Sequence, residues 1–322
     1  MPTEPYKPLL NRDLNKALIK ELNDIASPAL QEAVNYATNL YQKCQGSTKG
    51  NTDEAFPVLA LYLHIIQLTD AIEVLISNSC VEPAQLLLRS SFEAKLGMEY
   101  MTEKMRRTRA VAWMVKNIID AIELRKELDP SHPKGRAYRQ TFENADPDQI
   151  MNMPPPFPTI SDDDINSLQA SLEKPEYADV YQEYERMAKK RQRIEWYSLY
   201  NGPRNIRELA EYLKHGFEYR LYQNWSKMSH VADTRHLTLP LEDGTTVLGP
   251  IRNPLNMAHI ACYALGMLLE ASQLMIKEYR SSDFRSFGKW WGKELKDKHM
   301  VLARMSLNHL KWFDEKFTKG TC

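Results

Sequence analysis

Glycine is scarce in this chain, at 12 of 322 residues. That weighs against folds with many tight hairpins or phosphate-cradling loops, because glycine is the residue that enters left-handed backbone without strain. No Walker loop, Rossmann glycine fingerprint, Ser-His-Asp order or Cys-His nucleophile pattern can be read in it. The four cysteines, Cys44, Cys80, Cys262 and Cys322, include no CxxC pair, so a zinc knuckle or dithiol redox motif is excluded and reduced thiols in a cytoplasmic protein are expected. An excess of one charge is lacking too: Lys+Arg is 42 and Asp+Glu is 42. This excludes an all-over electrostatic grip on nucleic acid and leaves room only for a local basic patch. The opening Met1-Pro-Thr-Glu-Pro carries no apolar signal-peptide region. The longest apolar stretches, 56–66 and 260–275, are broken by His64 or by Glu270 and Gln273. Both fall short of the ~18–20 uninterrupted apolar residues of a membrane span, so none is expected.

What is present is helical periodicity, nearly everywhere. Leu14, Leu18, Leu22 and Ile25 make one stripe over 11–26. Ser27-Pro28 reads as a cap with proline at the first position of a second helix reaching about Gln45. A long apolar helix over 53–78 reads as central. Further helices are expected from Val81-Glu82-Pro83 to about Lys104, over 106–128 up to Asp129-Pro130, and, past the proline-rich loop near 145–160, over 162–172, 176–193, 205–215 and 217–232. Asp243-Gly244 between short β-prone runs predicts one hairpin within 235–251, with Pro240 favouring an edge. Helix resumes over 256–280, and again from 284 to 317 with interruptions near Gly288 and Gly292. The expected fold is all-α: an irregular helical bundle with one small β-hairpin insertion, forming a single domain of an N-terminal arm (1–52), a core bundle (53–280) and a C-terminal extension (281–322).

Two segments carry the chemistry. In Arg89-Ser90-Ser91-Phe92-Glu93 and Tyr222-Gln-Asn-Trp-Ser226-Lys-Met-Ser-His230, polar residues recur at a spacing of four inside runs that otherwise read as core. That spacing puts Arg89 and Glu93 on one helix face, and Tyr222, Ser226 and His230 on another. Arginine and glutamate are rarely buried without partners, so the two stripes predict a polar site within the bundle. His230 titrates near neutral pH and suits a general acid or base. Arg89 suits a two-pronged clamp on carboxylate or phosphate, Glu93 an orienting carboxylate, and Tyr222 and Ser226 hydrogen-bond donors to a ligand.

These segments, with Ile194-Glu-Trp196-Tyr197 and Arg207-Glu-Leu-Ala210, resemble an uncharacterised prokaryotic domain-of-unknown-function family. Its pattern is an R-S-x-x-E helix followed much later by a Y-x-x-x-S-x-x-x-H helix, and the resemblance covers roughly 55–280. It implies an all-α bundle and brings no established reaction. An Arg–His pair in a helical bundle is also similar to metal-independent ribonucleases of the higher-eukaryote-and-prokaryote nucleotide-binding (HEPN) type, in which R-x(4–6)-H promotes attack by the ribose 2′-hydroxyl. The expectation is a HEPN-like protein, a ribonuclease effector of a toxin or defence system. His230, Arg89 and Glu93 would be catalytic, and Tyr222, Ser226, Arg252 and His259 ligand-binding. Expected partners are RNA or a small anion, with no cofactor and no metal; homo-oligomerisation is left open. The alternative is a non-enzymatic helical protein that binds a small anion or a protein partner. Its polar cluster would then fix helix register.

Three stretches fit R-x(4–6)-H by number: Arg125–His132, Arg252–His259 and Arg304–His309. The first crosses Asp129-Pro130. The third spans about 500° of helix, so its side chains splay. Arg252–His259 opens a helix, where backbone N–H groups favour phosphate. A carboxylate–His metal site would need Glu93 and His230 with Asp70 or Glu73, but the Glu-x-x-His spacing of helical di-metal bundles is absent. The mixed aromatic and basic stretch 284–304, with Lys289, Lys293, Lys296, Lys298 and Arg304, is the expected RNA patch. Its ordinary reading is tryptophans docked on the bundle with solvated lysines.

Overall fold

The computed structural model describes residues 4–7, 9–129, 132–143, 162–190, 193–227, 238–240, 245–252 and 256–318. The chain is all-α. Its helices are α1 (Arg12–Gln45), α2 (Phe56–Ser77), α3 (Val81–Glu103), α4 (Arg106–Leu128), α5 (Pro133–Glu143), α6 (Asp162–Leu172), α7 (Pro175–Ala188), α8 (Ile206–Tyr212), α9 (Gly216–Lys227), α10 (Met257–Tyr279), α11 (Phe284–Trp290) and α12 (Lys296–Thr318). Two three-residue strands, β1 (Thr238–Pro240) and β2 (Thr246–Leu248), pair antiparallel with Thr238 opposite Leu248. Three residues a side make no sheet. The expected hairpin insertion comes down to this local ladder, and its turn, 241–244, lies outside the described residues.

The chain divides into two compact units: Met1–Glu103 with Ala210–Cys322, and Lys104–Leu209. In the first, α2 packs on α1, α3 and α10. Its core includes Tyr62, Ile65, Ile72, Leu88, Phe92, Leu96, Leu265 and Ile276, all nearly inaccessible. The one polar group at the end of the buried Tyr62 ring is satisfied by Ser272, hydroxyl to hydroxyl at 2.8 Å. In the second, α4, α6, α7 and a 3-10 segment at Trp196–Asn201 enclose Val111, Val115, Ile122, Leu172, Val180, Met187 and Leu199. Pro175 at the first position of α7, behind an extended Lys174, starts that helix as such a residue should.

One expectation about the elements is corrected and another is met in a different form. The break at Ser27-Pro28 does not occur: α1 runs through Pro28 without interruption. Proline inside a helix costs ~3 kcal/mol, but Ala26, Ala29 and Leu30 around it are fully buried, and that packing offsets the cost. Ser27, instead of capping, gives its hydroxyl to Glu73 of α2. That carboxylate also accepts from Gln31 (3.1 Å) and Ser77 (2.9 Å). Glu73 therefore ties α2 to α1. The interruption expected near Gly288 and Gly292 is a π-helical turn, Trp291–Leu295, between α11 and α12.

Helices α2 and α10 are long and apolar enough, by length and composition, to cross a membrane. The interruptions at His64, Glu270 and Gln273 do not remove them from that class. In the structure they pack against each other, and the central helix of a folded core meets the same criterion.

Candidate functional site

The first unit brings α3 and α9 side by side, and with them three of the site residues expected from the sequence. Arg89 and Glu93 sit one turn apart on α3, and Tyr222 reaches them from α9. The Arg89 Nε donates to the Tyr222 hydroxyl at 3.3 Å. That hydroxyl donates to Glu93 Oε1 at 2.8 Å. Arg89 Nε and Glu93 Oε1 are 3.2 Å apart, closing a triangle of cation, phenol and carboxylate. The guanidinium carbon also lies 5.4 Å from the Tyr222 ring centroid, within cation–π range.

Charge and burial divide the triangle. Tyr222 is only 6% exposed, and burial raises its phenol above the usual range, with Arg89 opposing and Glu93 reinforcing. The hydrogen bond to Tyr222 holds the Arg89 guanidinium further toward its charged form. The Arg89 and Glu93 side chains are 35% and 42% exposed, so solvent reaches both. A guanidinium held in a fixed plane at a helix seam is suited to presenting a fork to an anion.

The other expected residues stand differently. Ser226 donates its hydroxyl back to the Tyr222 carbonyl at 2.9 Å, the back-bond that serine makes inside helices. His230 lies outside the described residues, as do 253–255 between Arg252 and His259. Arg252 stands in a bend before α10. His259 is buried in the first turn of α10, its Nδ1 3.0 Å from the Ser306 hydroxyl and its ring packed 4.6 Å from that of Tyr263. These are the surroundings of a packed core histidine. On the C-terminal stretch, Trp290 stacks on Tyr36 at 3.8 Å and donates its indole N–H to Glu32 at 2.7 Å. The ordinary reading of docked aromatics describes it. Among the described residues no group of three or more His, Cys, Asp or Glu is placed to hold a metal.

Further along the same seam is a second cluster that sequence reasoning missed. Lys95, on α3, is buried and paired with Glu270 of α10, and lies 3.6 Å from Glu99. Glu99 is 2.6 Å from His215 Nε2, and Glu218 is 3.6 Å from His215 Nδ1. The hydrogen bond to Glu99 leads in raising the His215 pKa, against burial and the Lys95 charge. His299 of α12, desolvated and only partly offset by Glu270, is lowered instead. Beyond, the Tyr212 hydroxyl donates to Glu103 at 2.7 Å. Phe92 stands between the two clusters, 5.6 Å from the Tyr222 ring and 6.5 Å from the imidazole of His215. The available signal was Lys95-x-x-x-Glu99 inside an apolar helix, the same i,i+4 cue that marked Arg89 and Glu93.

The model of a family of unknown function, DUF5677, matches residues 55–243, which include α3, α9 and the whole seam between them. The match ends before α10, short of the 280 expected from the motifs. No curated protein and no solved structure matches the chain.

Proposed function

This chain belongs to the DUF5677 family, whose function is unknown, and from that premise we propose that it is a metal-independent ribonuclease of the HEPN type, acting at the seam of α3 and α9. The observation that carries the reading is the partly exposed Arg89, its guanidinium oriented by Tyr222 and Glu93. In this reading Arg89 binds the scissile phosphate and meets the charge that builds up on it in the transition state. His230, which follows Tyr222 by two helical repeats in the sequence, takes the proton from the ribose 2′-hydroxyl. The 2′-oxygen bonds to phosphorus, the bond from phosphorus to the 5′-oxygen breaks, and the 5′-oxygen takes a proton from water while His230 returns its own to solvent. The products are a 2′,3′-cyclic phosphate and a 5′-hydroxyl end. Glu93 and Tyr222 are positioning residues.

The test is incubation of the full chain with single-stranded RNA in EDTA, followed by end-group analysis. Cyclic-phosphate products that disappear with Arg89→Ala and His230→Ala, and with a 2′-deoxy nucleotide at the cleaved position, support the reading. No cleavage under any buffer condition, or cleavage untouched by either substitution, overturns it. One observation favours a second reading: Glu93 compensates the Arg89 charge, and Tyr222 is buried. That suits a clamp for a small anion, or a device that sets helix register, without catalysis. In that case Arg89→Ala alters phosphate binding or the melting temperature and leaves RNA intact.

A further inference from the structure

The second unit holds a feature that the seam does not explain. Residues 186–193 read Arg-Met-Ala-Lys-Lys-Arg-Gln-Arg, five bases and no acid. Of the described members Arg186, Lys189, Lys190 and Arg193 are exposed, Arg193 at 91% of its side chain. Cations at the carbonyl end of a helix are ordinary, and Arg186 in the last turn of α7 fits that account. Lys190 and Arg193 lie beyond the helix end at Ala188 and fall outside it.

Beside this run stands an unusual aromatic. Tyr200 and Asn201 both adopt left-handed backbone, with φ of 55° and 59°. That conformation is strained for a tyrosine. It is held by Glu183, which accepts the Tyr200 backbone N–H at 3.2 Å, and by Ser198, whose hydroxyl closes the turn onto the Pro203 carbonyl at 2.8 Å. The strain does not bury the residue, which stays 40% exposed. The same Glu183 carboxylate takes both prongs of Arg186, at 2.6 and 2.8 Å. One carboxylate thus fixes an exposed aromatic next to the head of the basic run. Arg204, exposed and paired with Glu208 at 2.6 Å, follows four residues later.

We propose that this face of the second unit binds a single-stranded polynucleotide, with Tyr200 as a platform for one base and Arg186, Lys189, Lys190 and Arg193 along the phosphates. Exposed bases are the face of a single strand that a duplex hides, and cations beside an aromatic match a base and its neighbouring phosphates. Glu183, Glu195 and Glu208 partner three of the arginines. Such pairs are weak in water and exchange readily for phosphate. An acidic peptide would use the cations and leave the ring idle. That the strand is RNA rests on the ribonuclease reading; the surface itself does not.

The experiment is fluorescence anisotropy of the full chain with a short labelled oligouridylate, its deoxy counterpart, a duplex of equal length and anionic phospholipid vesicles, from about 50 to about 200 mM salt. The expected result is single-strand binding that weakens with salt. Lys189→Glu with Lys190→Glu and Arg193→Glu should lower affinity at least ~10-fold and flatten the logarithmic salt slope by about 2, since each phosphate contact on a single strand contributes about 0.7. Tyr200→Ala should lower affinity ~10-fold with the slope unchanged, and Tyr200→Phe should retain binding, which separates the ring from the hydroxyl, donated to the Asp179 carbonyl at 3.4 Å. Tighter binding of the ribose strand identifies RNA, and equal affinity for both strands keeps the surface and withdraws that clause. Unchanged affinity in a folded triple variant, preference for the duplex, binding to vesicles alone or no binding at low salt overturns the proposal. Binding through this face without cleavage leaves it standing and removes the ribonuclease reading. Cleavage with an unchanged KM in the triple variant does the reverse.

Discussion

The two polar clusters on the α3–α9 seam are built from similar parts and behave differently. Each has a base and a glutamate four apart on α3, met by a polar ring from α9 or from the residue just before it: Arg89, Glu93 and Tyr222 in one, Lys95, Glu99 and His215 in the other. In the first the charged side chains are reached by solvent and the ring is buried. In the second the base is buried, with its partner Glu270 toward the surface. A shift of six residues along α3 is about 600°, or 240° around the helix, enough to turn one cation to the rim and the other to the core. Open charges on a fixed ring are accessible to a ligand, whereas a buried charge with fixed partners acts as a latch between helices.

The largest effect should come from removing what the clusters share. Phe92 is buried and touches both polar rings, so Phe92→Ala should cost about 3–5 kcal/mol in urea unfolding. Loss from only one cluster, seen as an unchanged environment at His215, would show that the two are not coupled through it. Next comes the latch. Lys95→Met keeps the stem and removes the cation that Glu270 and Glu99 share, leaving Glu99 with His215 alone. Breaking a buried pair costs about 3–5 kcal/mol, and the lower end applies because Glu270 lies largely in solvent. A change below about 1 kcal/mol would make Lys95 a surface-like pair and erase the contrast with Arg89.

The site was more legible than the latch for a physical reason. Arg89, Glu93 and Tyr222 announce themselves by spacing within single helices, and face-sharing follows from helix geometry whatever the tertiary fold. His215 stands at the corner where α8 gives way to α9, turned there by Lys214 in left-handed backbone at φ 66°. Lysine carries no signal for that conformation, so which side the imidazole would face could not be read. The all-α class and most helix spans followed from periodicity. Pro28 misled because it is a local cue. Full burial around it outweighed that cue, whereas near Gly292 the α-helix does give way to a π-turn.

A smaller, pH-dependent effect separates the histidines. The pKa of His215 is raised above 6.5 chiefly by its hydrogen bond to Glu99. The folded chain therefore prefers the charged imidazole. Its contribution is fully present below the unfolded pKa and is lost as pH rises through the folded one. The stability difference between wild type and His215→Gln should be largest near pH 6 and shrink on the alkaline side. His299 runs the other way: its pKa is lowered by desolvation, so its contribution is present above the ordinary histidine range and lost as pH falls through the folded pKa. Thermal melts of the two glutamine variants across pH should diverge in opposite senses. Parallel curves would mean that neither ring is held as described.

The smallest change in stability is expected at the site itself, where its smallness decides the function. Arg89 is partly exposed and paired with a partly exposed Glu93. Pairs of this kind contribute about 0.2–1 kcal/mol, and its loss leaves the Tyr222 hydroxyl still donating to Glu93. Arg89→Ala should therefore melt close to wild type. If Arg89 meets a phosphate in the transition state, the same variant should lose RNA cleavage by ~10²-fold or more, the scale seen when one oriented donor to a developing charge is removed. Arg89→Lys should recover little, because an ammonium cannot reproduce the planar fork. A variant that melts far below wild type and loses activity in proportion would place Arg89 beside Lys95 as part of the latch, and the contrast between the two clusters would collapse.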